Sequence, residues 1–148
     1  MKYKFIDDLT SDVMFEAYGK TLQQLFANAA EAMFSVICQL DKVEPKQAKP
    51  VTLEADSIES LIVAWLQELI GMVDTEEMFF SKFEVDSVEE IKDHAPGKSI
   101  WQAKAKVYGE PIKPEKGETV VKAVTNYGFK FGKEKGGKGY KVRVSLDI

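Results

Sequence analysis

One cysteine and one histidine are the whole supply of thiol and imidazole in these 148 residues. Cys38 therefore forms no internal disulfide, which points to a reducing compartment and a buried thiol. A zinc site with several nitrogen or sulfur ligands is excluded, because Cys38 and His94 are the entire set. His94, set among turn-forming residues, reads as an exposed loop residue. The chain has no apolar stretch of about 18 residues and no basic leader running into an apolar segment. Neither secretion nor membrane spanning is expected, and the expected location is the cytoplasm. Positive charge is not in excess either: Lys and Arg number 20 against 24 Asp and Glu, a net charge of −4. A nucleic-acid binder working through its whole surface needs the opposite balance, so contact with RNA is expected to be indirect if it occurs. No serine elbow or Cys/His pair is present. The run holding Gly136, Gly137 and Gly139 lacks the GxxxxGK[ST] order and falls between two strand patterns, whereas a phosphate loop feeds a helix. It reads as a mobile hairpin tip carrying Lys133, Lys135 and Lys138.

What is present begins with carboxylates. Asp7, Asp8 and Asp12 fall within six residues, and repulsion between such neighbours requires solvation, pairing or a cation. Val13 to Gly19 then alternates with the period of a strand, after a shorter alternation around Tyr3 and Phe5, so a hairpin across the acidic turn is expected. The far end of the chain matches this chemistry. Asp147 and Ile148 set a side-chain carboxylate beside an α-carboxylate, and the alternation from Tyr140 to Leu146 puts Lys141, Arg143, Ser145 and Asp147 on the face away from the core. If first and last strands are neighbours, the two ends build one oxygen-rich site.

Between them lie two amphipathic helices. Thr21 and Gln24 have capping-box spacing ahead of an apolar stripe from Leu22 to Leu40. Asp56 and Glu59 repeat that spacing before a stripe that includes Leu61, Trp65, Leu69 and Met72, with Trp65 as a core anchor. Pro45 and Pro50 bracket a polar connection, and Val51 to Ala55 is a short strand. Strand patterns follow at Met78 to Val85, at Trp101 to Val107 and at Val120 to Phe131, the last interrupted near Gly128, while Asp86 to Ser99 reads as turn and loop. Length and composition fit one domain spanning residues 1–148.

The segments Phe5 to Val13, Ala17-Tyr18-Gly19, Asn28-Ala29-Ala30, Asp74-Thr75-Glu76, Lys122-Ala123-Val124-Thr125 and the terminal Asp147-Ile148 together resemble the archease family, in order and across nearly the whole chain. Where that family often has histidine, this chain has Leu9, and a second histidine near Tyr127 is also absent. The resemblance implies a single two-layer α+β domain with two main helices packed on a mostly antiparallel β-sheet. It implies an accessory protein, not an enzyme, that activates the GTP-dependent tRNA-splicing RNA ligase by promoting guanylylation of the ligase histidine and multiple turnover. It implies a divalent cation, commonly calcium, whose ligands carry over onto Asp12, Asp147 and the terminal carboxylate of Ile148. Asp8 is then a candidate for the surrounding shell or for facing the partner.

The residues themselves are compatible with that ligand type, since carboxylates are hard donors suited to calcium, magnesium or manganese. Two other readings stand beside it. A general chaperone or interaction module would use the acidic end and the Gly/Lys tip as binding surfaces without ligase specificity. A small hydrolase would need Asp12 and Asp147 with separated pKa values flanking a cleft, and the periodicity gives no sign of one.

Overall fold

In chain order the elements are β1 (Tyr3–Ile6), β2 (Val13–Gly19), α1 (Leu22–Ile37), β3 (Gln47–Ala55), α2 (Ile58–Thr75), β4 (Met78–Ala95), β5 (Lys98–Pro111), β6 (Ala123–Lys133) and β7 (Tyr140–Asp147). This computed structural model describes residues 1–7, 12–95 and 97–148, with backbone alone at 93–95 and 135. The class is α+β, with every strand pairing antiparallel and the strands divided between two sheets, ordered β1-β2-β7-β6 and β3-β5-β4. The last strand lies beside the second and not the first: β7 pairs along the whole of β2, and β1 is the edge strand on the other side of β2.

Both helices cover the seam between the sheets. The stripe of α1 buries Leu25, Phe26, Ala29, Ala30, Met33, Phe34 and Ile37 against β2 and β4, and its alanines permit close approach. Trp65 of α2 is fully buried, and its indole N–H donates to Phe26 O at 2.9 Å, tying the helices together. Cutting such a side chain to alanine costs about 3–5 kcal/mol. Thr21 caps α1 as its spacing predicts, its hydroxyl accepting from Gln24 N–H at 3.1 Å while Gln24 Oε1 accepts from Lys20 N–H. Leu40, taken from its spacing as the last residue of the α1 stripe, lies instead in a separate 3₁₀ turn, Leu40–Lys42.

Four other expectations change. The cap of α2 is Ser57, not Asp56, because the Ser57 hydroxyl reaches Ser60 N–H at 3.1 Å. Pro50 lies inside β3, an edge strand, where a proline is tolerated. The stretch from Asp86 onward is strand: pairs such as Val88 with Ala103 and Ile91 with Ile100 extend β4 and β5 into a long ribbon. His94 therefore has strand backbone, and its side chain is outside the described residues.

The fourth is the strand pattern expected to end at Val107, which runs on to Pro111 with Glu110 buried near the end of β5. The Glu110 carboxylate, only 2% exposed, accepts from Lys116 Nζ at 2.8 Å, from Glu44 N–H at 2.7 Å and from Lys113 Nζ at 3.0 Å. The Lys116 hydrogen bond first, then those of Glu44 N–H and Lys113, hold its pKa down at about 2. A carboxylate depressed on folding stabilises the fold above its unfolded value of 4.5 and stops doing so as pH falls toward 2. Glu110→Gln should accordingly flatten the loss of thermal midpoint between pH 5 and about 2.5. An acid profile equal to that of the unaltered chain would show that this network does not contribute.

Candidate functional site

The site is assembled by register. Val13, the first residue of β2, pairs with Leu146, so Asp12 just before β2 and Asp147 at the end of β7 adjoin the same paired position. Side-chain alternation along β7 puts Asp147 on the face of Ser145 and Arg143, which Met14 and Glu16 of β2 share. The other face, carrying Phe15, Ala17, Val144 and Leu146, is buried in the core. Ile148 follows at once and is 40% exposed. The backbone at Asp147 is fixed from the far side, where Lys122 N–H donates to Asp147 O at 2.7 Å and Ala123 pairs with Asp147. The structure thus brings Asp12, Asp147 and Ile148 to one end of one sheet. Asp8 lies outside the described residues, together with Leu9, Thr10 and Ser11.

No group of three or more His, Cys, Asp or Glu side chains able to hold a metal occurs among the described residues. This end of the sheet offers the side-chain carboxylates of Asp12 and Asp147. Its donor chemistry is all oxygen, which fits a hard cation with open coordination positions and not a soft one. The buried Cys38 plays no part: burial pushes its thiol up to about 12, so it stays protonated and inert.

Next to this end, β6 bulges. Its register on β7 shifts between Thr125 and Lys130, and Gly128 takes a φ of 64° that L side chains rarely adopt. A Cβ at Gly128 would stand 2.9 Å from Met14 Cε, so the bulge lies directly on the outer sheet face. Ser145 Oγ donates to Tyr127 O at 2.8 Å. Ser145 is consequently fully buried, although its position in the alternation faces away from the core.

Farther along the same face is a cluster that the sequence pattern did not reveal. Glu16, 5% exposed, accepts from Arg143 Nε at 3.0 Å and Nη2 at 2.8 Å on Oε2, while Tyr18 OH donates to Oε1 at 2.9 Å. Lys4 Nζ stands 3.8 Å from Oε1. Burial pushes the Glu16 carboxyl up, but the hydrogen bonds of Arg143 and Tyr18 outweigh it and leave the pKa below the ordinary value. Burial and then the Glu16 carboxylate raise the Tyr18 phenol to about 12. The signal for this pair was present as opposite charges at outward positions of β2 and β7. Only the register makes them face each other.

Separately, an apolar hollow of about 270 Å³ opens beside Val121, lined by Ile37, Ile70, Val73, Phe79 and Val120 among others. Asp74 is its one ionisable lining group, so it supplies no acid–base pair. No helix among the described residues is long and apolar enough to cross a membrane.

Two helices packed on antiparallel sheets, with Asp12 just before the second strand and Asp147 at the end of the last, define a small α+β scaffold with carboxylates at one end of a sheet. The Archease protein family matches residues 3–148. Protein archease of Methanosarcina acetivorans is 41% identical over 149 residues, covering 99% of this chain and 96% of that one. Protein archease of Archaeoglobus fulgidus is 36% identical over 148 residues, with each chain covered in full at 100%. The solution structure of Methanobacterium thermoautotrophicum protein 1598 superposes with a TM-score of 0.78 at 31% identity, covering 99% of both chains. This chain belongs to the archease family.

Proposed function

We propose that this chain is a cytoplasmic accessory factor for the GTP-dependent tRNA-splicing RNA ligase, promoting guanylylation of the ligase and its multiple turnover, and that it carries no catalytic residue of its own. The ligands of a divalent cation, calcium by preference, are Asp12, Asp147 and the terminal carboxylate of Ile148. The observation that supports this reading is that Asp12 and Asp147 adjoin the Val13–Leu146 pair at one end of the sheet, in a chain of the archease family. When bound, the cation supplies positive charge and open coordination positions to which a ligase carboxylate or a nucleotide phosphate can be oriented. The chain's own part is to hold its oxygens still: Asp147 is pinned by the Lys122 N–H, and Asp12 by the strand that follows it.

The test is multiple-turnover RNA joining by the ligase with this chain added below the ligase concentration, in calcium, magnesium or manganese. The number of joins per ligase should rise with the chain present. An unchanged number in every cation, with an active ligase and a folded chain, would refute the reading. Suppressed aggregation of unrelated clients in place of such a rise would point to the general chaperone.

A further inference from the structure

We infer that the helix-free face of the four-stranded sheet contains a phosphate-binding site, formed by Lys130, Lys141 and Arg143 beside Gly132, which takes the phosphate of a nucleotide or an RNA strand. It stands apart from the carboxylate end, because four strand positions from Asp147 to Arg143 amount to about 13 Å. It does not rest on the ligase reading.

A hollow of about 220 Å³ lies there, lined by these residues together with Glu16 and Phe131. Register brings the cations to its rim: Lys130 is opposite Arg143, and Lys141 is opposite Gly132. A Cβ at Gly132 would meet nothing within 4 Å, so the floor beside Lys141 is open. Lys130 and Lys141 are exposed, and neither amine bonds to any described residue. Arg143 spends Nε and Nη2 on Glu16, which fixes the plane of the guanidinium, and its Nη1 has no partner among the described residues.

Charge explains why these donors await an anion. The single carboxylate of Glu16 is already taken by Arg143, Tyr18 and Lys4. Lys130 and Lys141 add two further cations against Arg143, and like charges opposite one another on a sheet are destabilising. On a chain of net charge −4 this is a local reversal of sign. An anion with several oxygens removes the repulsion by accepting from the two amines and from the oriented Nη1 edge together. A phosphate supplies those oxygens at once, and the hollow leaves room for the sugar attached to it.

The experiment measures binding of three probes to the whole chain without ligase: a single-stranded RNA 12-mer, GTP and inorganic phosphate. The Lys130→Gln/Lys141→Gln double variant is compared with Lys104→Gln/Lys106→Gln, which removes the same charge from exposed positions on β5. Site binding predicts at least a roughly tenfold weakening in the first pair only. For RNA it also predicts a fall of about 1.4 in the slope of log affinity against log salt, two phosphate contacts at about 0.7 each. RNA binding lost with the first pair identifies a strand as the source; loss confined to GTP and inorganic phosphate identifies a free nucleotide. On the unaltered chain, inorganic phosphate should shift the amide resonances of Lys130, Gly132, Lys141 and Arg143. The proposal is overturned if no probe binds, if both pairs weaken binding equally, or if inorganic phosphate leaves those resonances unshifted.

Discussion

Asp12→Ala and Asp147→Ala should each reduce ligase stimulation to the level of ligase alone, a loss of at least about tenfold where one charged ligand is removed from a hard-cation site. Neither change should unfold the chain. Both side chains are partly exposed at the end of the sheet, and removing one of two adjoining carboxylates relieves repulsion in the absence of cation. Without calcium, therefore, the thermal midpoints of the variants should equal or exceed that of the unaltered chain. With calcium at about 100 times its dissociation constant, the unaltered chain should gain about 2.7 kcal/mol, and the variants should gain little. One residue added after Ile148 should blunt the same calcium response by moving the α-carboxylate. Full stimulation by either alanine variant would remove the carboxylate end from the function.

Arg143→Ala should cause the largest loss of stability of any change on the sheet surface. It leaves Glu16 buried with the Tyr18 hydroxyl, a distant Lys4 and the field of Lys141 against it. Breaking a fully buried pair costs about 3–5 kcal/mol. Since the Arg143 side chain is 34% exposed, about 2–4 kcal/mol is expected here. In a domain of this size that is a fall in thermal midpoint of roughly 5–15 °C. The pH dependence should also change sign. In the unaltered chain the Glu16 pKa is lowered, so its contribution is complete above 4.5 and is lost as pH falls through the folded value. In the variant, burial is far less opposed and raises the folded pKa above the unfolded one. The variant should then gain stability as pH falls, because protonation removes a poorly compensated charge. Adding Glu16→Gln to Arg143→Ala should recover part of the loss. A midpoint within about 2 °C of the unaltered chain, measured by calorimetry at pH 7, would contradict this account of the pair.

The parts of this fold legible in the sequence are those with a strong period. The α1 stripe, its Thr21 cap and the Trp65 anchor follow from spacing alone, because a helix buries one continuous face. The interruption at Gly128 was also legible, since a glycine inside a strand pattern marks a bulge. The ribbon from Asp86 to Ser99 was not. Its charged residues suit a loop, and they become strand because β4 and β5 supply each other's backbone partners. Asp12 and Asp147 could be singled out by residue type, yet their meeting at one end of the sheet depends on β7 being the neighbour of β2. Glu16 was hidden for the same reason: a carboxylate in a strand pattern reads as exposed until its cross-strand arginine is known. Ser145 shows the converse, with an outward position buried by a bulge from another strand.

The decisive measurement is guanylylation of the ligase with radiolabelled GTP, with and without this chain, across calcium concentrations. Labelling of the ligase histidine should be faster and more complete when the chain is present, should require divalent cation, and should lose this enhancement with Asp147→Ala. Labelling that is indifferent to the chain, or an effect that survives both chelation and Asp147→Ala, would contradict it.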